Sequence, residues 1–351
     1  MAEPMEAAVL PDKKSVPRPS WIDRWIEGID YLRMPAWLFY LLAVLALTLV
    51  FELSLWIDGT VPFGTYGMPP AVFPPIFLIF LVLYHYLTRV SSQTLQSFSP
   101  LLDVSEEELA RIETRFLILP HRIGWLLMAV SVPMAFPFVW GGPATWGDLL
   151  PNTQLPYLVL LLIIVPFNYT FACLLGRSFR QIKMIGELHA QVTKINLMKL
   201  EPAHAFSKLT SRTGIGLFLI VLFGFFYNPN SINSSWSIFN YIGVVSISLV
   251  IFIVPVIGIR SKLQEQKRNE LYRMEDLIRI TNDSLHQKIE NSNFDDLGGI
   301  QSALNMLTRE RDQIESVSTW PWNPGTIRGF TSTLILPIFF RYLYQFLDTL
   351  F

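Results

Sequence analysis

The chain has 351 residues, of which 51% are hydrophobic and only 16% charged, with a net charge of −1. Soluble domains carry about 25% charged residues, so an ordinary soluble fold is excluded, and the near-zero net charge carries no nucleic-acid signal. A lone cysteine, Cys173, excludes an intramolecular disulfide and a multi-cysteine metal site.

Residues 1–19 are Pro-rich and polar and lack the apolar core of a cleaved signal, so a disordered tail is expected. Residues 20–33 read as an amphipathic helix with Ser20 as N-cap. Trp21, Ile22, Trp25, Ile26, Ile29 and Leu32 fall on one face, and Asp23, Arg24, Glu27 and Asp30 on the other. The two tryptophans suit a helix lying in the membrane interface.

Six apolar runs follow, at 34–57, 71–88, 123–140, 155–175, 212–227 and 238–259. Each is close to the length needed to cross a hydrocarbon core of about 30 Å. The fold class expected is therefore all-α: a polytopic membrane domain over 34–260 with six transmembrane helices. Pro133, Pro137, Pro166 and Pro255 lie inside runs and imply kinks that neighbouring helices accommodate.

The 27 Lys and Arg residues are one-sided. Connectors 58–70, 141–154 and 228–237 contain none, whereas connectors 89–122 and 176–211 (with Arg212 at the adjoining start of run five), the N-terminal segment and the region after run six carry all but Arg341. By the positive-inside rule both the N-terminus and residues 261–325 face the cytoplasm of a bacterial inner (plasma) membrane. The tryptophans cluster at the run ends, as an aromatic belt requires.

The long connectors are the basic ones. In 89–122, Ser105 with Glu108 fits a capping box, followed by Leu109, Ile112 and Phe116 on one face. In 176–211, Ile182, Ile185, Leu188, Val192 and Ile195 extend run four as a helix until the Glu201-Pro202 step ends it. Residues 261–319 carry two stripes. Leu271, Met274, Ile278 and Leu285 form one, with Thr281 in the remaining core place; Leu297, Ile300, Leu304, Leu307 and Ile314 form the other, interrupted by Arg311. Both are coiled-coil-like but last only about three heptads, so a cytosolic hairpin is favoured over a dimeric coiled coil. Residues 320–351 add the rigid Trp320-Pro-Trp-Asn-Pro-Gly turn and a C-terminal membrane-inserted or interfacial helix with Arg341, Gln345 and Asp348 along one side.

Intramembrane polar residues are the candidates for chemistry. Glu52 lies about five residues, roughly 8 Å, inside the outer end of run one. His85 and Asn168 share a depth in the inner half, and a polar cluster results if runs two and four touch; Tyr169 flanks Asn168. The depths argue against a Glu52–His85 pair. His189 and Glu187, two residues apart, point to different sides of a helix, and no metal, phosphate-loop or hydrolase motif is present. No catalytic, cofactor-binding or metal site is therefore expected.

Three stretches, Trp21-Ile-Asp-Arg with Pro35-Ala-Trp-Leu-Phe-Tyr40, Glu201-Pro-Ala-His-Ala-Phe-Ser-Lys-Leu-Thr210, and Trp320-Pro-Trp-Asn-Pro-Gly-Thr-Ile-Arg-Gly329, resemble sequences of an uncharacterised family of multispan inner-membrane proteins of Chloroflexota-type bacteria. The resemblance implies one fold over most of the chain and no activity. The expected function is a regulatory, sensory or scaffolding membrane component that acts through its cytosolic helices. Its expected partners are the lipid bilayer and a cytosolic protein docking on 261–319. A small transporter or channel built on Glu52, His85 and Asn168 is the alternative.

Overall fold

The computed structural model describes residues 18–141, 149–192, 204–227, 235–291 and 297–320, with isolated positions between and beyond them. Every regular element among the described residues is a helix, apart from one bridge between Pro19 and Pro120. The helices are α1 (Trp21–Tyr31), α2 (Ala36–Asp58), α3 (Met68–Phe98), α4 (Glu106–Leu117), α5 (His121–Val139), α6 (Leu155–Gln191), α7 (Ala205–Tyr227), α8 (Ser235–Glu290) and α9 (Leu297–Ser316). The tail 1–17 and most of 321–351, including Arg341, Gln345 and Asp348, lie outside the described residues.

Among the described residues, five helical stretches are long and apolar enough to cross a membrane: Ala36–Asp58, Pro69–Leu101, His121–Val139, Leu155–Gln191 and Ile242–Glu290. Half or less of the apolar window of each is buried in the protein. The remainder must face a medium as apolar as the side chains themselves, and lipid supplies it. On α2, Leu41, Leu42, Leu45, Leu49, Val50 and Leu53 all point outward. The protein is thus an all-helical multi-pass membrane protein. The expected run 212–227 lies within α7, whose side chains beyond Leu219 fall outside the described residues.

Three helices overrun the bilayer. At 1.5 Å per residue, α3, α6 and α8 are about 46, 55 and 84 Å long, against a core of about 30 Å. Each overhang is C-terminal, where its Arg and Lys residues lie. Run two therefore continues as helix ten residues past its expected end, to Phe98. The extension of run four stops at Gln191, ahead of Pro202. Pro202 instead opens the turn into α7, its carbonyl accepting the Ala205 N–H at 3.1 Å. Pro133, Pro137, Pro166 and Pro255 are all interior to helices, as are Pro74 and Pro75.

The chain divides into two compact units, Met1–His85 with Val104–Arg177, and Tyr86–Asp103 with Ser178–Phe351. In the first, α1 is capped at both levels. The Ser20 hydroxyl accepts the Asp23 N–H at 3.4 Å, and the Asp23 carboxylate accepts the Ser20 N–H at 3.4 Å. Its apolar face divides: Ile22, Ile26 and Ile29 are buried, while Trp21 and Trp25 are exposed by 43% and 44%. At α4 the hydroxyl half of the expected capping box forms, Ser105 Oγ accepting the Glu108 N–H at 3.3 Å.

At the Lys/Arg-free ends, Asp58 joins two connectors. It accepts the N–H groups of Asn152 (2.7 Å) and Thr153 (2.6 Å) just before α6, and the Thr60 hydroxyl. A carboxylate at a helix N-terminus also meets the positive end of the helix dipole. Trp146 departs from the expected aromatic belt. It is 2% exposed, donates its indole N–H to the Val139 carbonyl at 2.9 Å, and packs edge-on against Phe51 and Tyr157. A buried acceptor for its N–H makes a core position better than the interface.

In the second unit α7 packs on α8, and α8 on α9. Gly214 permits the first contact, because a Cβ there would lie 3.2 Å from Phe330 and 3.3 Å from the Ser248 carbonyl. Along α8, Met274 is buried and Leu271, Ile278, Thr281 and Leu285 are half-buried; along α9, Ile314 is buried and Leu297, Ile300, Leu304 and Leu307 are half-buried. Lys267 Nζ donates to the carbonyls of Glu315 (2.7 Å) and Val317 (2.9 Å). That contact makes the pair antiparallel and caps the end of α9 with a cation.

Candidate intramembrane polar site

Glu52 is 3% exposed, and its carboxylate accepts the Gly67 N–H, at 2.9 Å to Oε1 and 3.2 Å to Oε2. Gly67 directly precedes α3, so Glu52 satisfies a backbone donor at that helix start. A Cβ on Gly67 would come within 2.9 Å of Leu55, which explains the glycine at this approach. The geometry is that of a loop clasp.

His85 lies elsewhere, as its depth predicts. The Tyr40 hydroxyl is 2.8 Å from its Nδ1, and the Asp30 carboxylate is 3.1 and 3.2 Å from its Nε2. Which nitrogen carries the proton is set by these partners; with Asp30 as acceptor, Nε2–H faces the carboxylate and Nδ1 accepts from Tyr40. The ring joins α1, α2 and α3. One residue earlier, the buried Tyr84 donates to Asp23 Oδ1 at 2.7 Å. The Arg177 guanidinium, 4% exposed, sits 4.9 Å from the Tyr84 ring centre, within cation–π range.

Asp23 is the hub. Besides Tyr84, its carboxylate accepts the Ser20 hydroxyl at 2.7 Å and the Leu119 N–H at 3.0 Å. Around it, Ser20 N–H donates to the Leu119 carbonyl and His121 N–H to the Arg18 carbonyl, both at 3.0 Å. Asp23 and Asp30, which the sequence places on the polar face of α1, thus turn their carboxylates to protein groups. They sit seven residues apart, two helical turns, and so reach the adjacent Tyr84 and His85 from one side of α1. The i, i+7 spacing of the two carboxylates is visible in the sequence, but only the fold brings the Tyr84-His85 dipeptide opposite them.

Asn168 Nδ2 approaches the Ser131 carbonyl at 3.5 Å, a long contact between α6 and α5. Tyr169 is 2% exposed, and its hydroxyl meets the Ser20 hydroxyl, the Trp21 backbone and the Cys173 thiol. Gly124 makes room for it, since a Cβ there would be 3.1 Å from the Tyr169 oxygen. His85 and Asn168 accordingly take separate partners, and Tyr169 joins the α1 anchor.

In the second unit His189 is 3% exposed and lies between the rings of Phe98 (5.6 Å) and Phe206 (5.5 Å). Neither ring nitrogen has a hydrogen-bond partner among the described residues. His204 is held below the usual histidine range, first by burial and then by the nearby Lys208 charge. Among the described residues no group of three or more His, Cys, Asp or Glu side chains is placed to hold a metal ion. No protein-family model, curated protein or solved structure matches the chain.

Proposed function

We propose that the protein is a regulatory or scaffolding component of a bacterial inner membrane that works through the α8–α9 helical hairpin on the cytoplasmic side. One observation carries this reading. Helix α8 is unbroken from Ser235 to Glu290, so its apolar segment and its charged, α9-bearing half are one rod. A displacement or rotation of such a rod in the bilayer is transmitted to the hairpin without a joint to absorb it. The hairpin in turn leaves Tyr272, Leu277, Ile280 and Met306 exposed, an apolar surface of the kind partners cover. Orientation rests on the one-sided Lys and Arg residues.

The polar residues favour this reading over transport. Glu52, His85 and Tyr169 are each engaged with protein groups that join helices, whereas a carrier needs ligands free to exchange. The test is photo-crosslinking in the full-length protein, with the crosslinker at Ile280 and, as control, at lipid-facing Leu45. A discrete protein adduct at Ile280 alone supports the proposal. No adduct, together with solute flux in proteoliposomes that His85→Ala abolishes, overturns it in favour of a transporter. Reporter fusions after Asp58, Trp146 and Asn233 should read as external; a cytoplasmic signal at any of them overturns the orientation.

A further inference from the structure

Where α8 leaves its apolar segment, the second unit holds a cluster of hydrogen-bond donors without acceptors. The Arg260 guanidinium lies 4.2 Å over the Trp320 ring. Trp320 stacks on Trp322 at 5.1 Å, and Trp322 stacks on Phe252 at 4.8 Å with the rings 4° from parallel. Phe252 is fixed from its other side by Phe330 at 3.9 Å. Within this stack, Arg260 Nε and Trp322 Nε1 are both buried, and neither has a hydrogen-bond partner among the described residues.

A buried N–H without an acceptor is costly, more so when the donor is charged. Arginine and the indole N–H are donors only. What satisfies both must therefore be an acceptor, and beside a guanidinium an anionic one. No acidic residue precedes Arg260 in α8, and the next one, Glu265, is exposed and about 140° around the helix. Lys267, two turns further along α8, is committed to the α9 carbonyls.

We infer that this cluster binds a phosphate group, and that the phosphate belongs to an anionic membrane phospholipid. Position selects the lipid over free phosphate. Ile257, one turn before Arg260, is 60% exposed, and Val254 is 45% exposed; these apolar surfaces suit acyl chains directly beside the donors. Trp320, 47% exposed, has the amphipathic character that places indoles at headgroup level. Basic side chains at a helix exit next to anionic headgroups follow the same logic. The inference is independent of whether the hairpin engages a protein.

The test is native mass spectrometry of the full-length protein in detergent, titrated with phosphatidylglycerol, with a phosphate-free diglucosyl diacylglycerol, and with inorganic phosphate. The expected result is retention of phosphatidylglycerol with an apparent Kd about tenfold below that of the glycolipid, the scale of one charge-assisted hydrogen bond. Arg260→Gln and Trp322→Phe should each remove most of that preference and leave glycolipid binding unchanged. Trp322→Phe keeps an aromatic ring on Phe252 while removing the donor, so it decides the matter if Arg260→Gln fails to fold. Equal retention of both lipids, or an unchanged preference in Trp322→Phe, overturns the inference. Inorganic phosphate that binds as tightly and displaces phosphatidylglycerol identifies a free-phosphate site and overturns the lipid assignment.

Discussion

The α1 anchor and the α8 exit are both polar clusters at membrane-helix ends, and they are completed differently. At the anchor, carboxylates on α1 meet hydroxyls, a backbone N–H and an imidazole from the helix's own N-cap, from α3 and from the connector before α5. Donors there have acceptors within the protein, and the cluster fixes where α1 lies. At the exit, two donors held in an aromatic stack have none. A cluster complete in itself is structural, whereas one that lacks its counter-group points to something outside the chain. The contrast separates buried polarity that holds this fold from buried polarity that recruits.

The largest expected effect is at the hub of the anchor. Asp23→Ala removes the acceptor of the Tyr84, Ser20 and Leu119 bonds. Hydrogen bonds to a charged group are worth about 1.5–3 kcal/mol each and are not additive, so a loss of about 3 kcal/mol is expected. Thermal unfolding in detergent should show a fall in Tm of several degrees; an unchanged Tm would mean the anchor holds nothing.

Next is the α7–α8 contact. Gly214→Leu places a large side chain where a Cβ alone would sit 3.3 Å from the Ser248 carbonyl. Overpacking of this kind costs about 1–3 kcal/mol. Gly214→Ala should cost less, because the Phe330 ring can shift by a few tenths of an ångström. Equal stability of both variants would show that the helices are not in close contact.

Smaller is the end of α9. Lys267→Met leaves the Glu315 and Val317 carbonyls uncapped, a loss of about 0.5–1 kcal/mol. Hydrogen exchange should accelerate at the C-terminal turn of α9 and not in its first turns; uniform protection would contradict the cap. The smallest effect is a pH dependence. His204 is held below its ordinary value when folded, so between that lowered value and about 6.5 the unfolded chain binds the extra proton. Stability should fall as pH drops below about 6.5, and His204→Gln should flatten that slope; a slope unchanged by the substitution would assign it to another group.

Periodicity made the helices and the α8–α9 stripes legible, because the side-chain pattern that packs a helix is also its sequence pattern. The break at Arg311 and the polar core place at Thr281 were both readable and both half-buried. Ser20 and Ser105 were legible for the same reason, since capping is local. The anchor was not. Charges on an amphipathic helix ordinarily mark water, and only the fold brings Tyr84 and His85 to Asp23 and Asp30. Arg177 was legible as a topology signal but not as a buried cation beneath Tyr84. Trp146 misleads because a tryptophan near a run end suits the interface unless an acceptor such as the Val139 carbonyl lies within reach.

The regulatory reading requires α8 to be one rod through Pro255. Val250 and Tyr272, both exposed on α8, are 22 residues and about six turns apart, so spin labels there bracket Pro255 and lie about 33 Å apart along the axis. Pulsed dipolar spectroscopy on the full-length protein in lipid nanodiscs, with Cys173 replaced by Ser, reads that distance directly. A single narrow distribution at about 33 Å is the predicted result. A broad or bimodal distribution would show a joint between the membrane segment and the helical pair, and would contradict the proposed coupling.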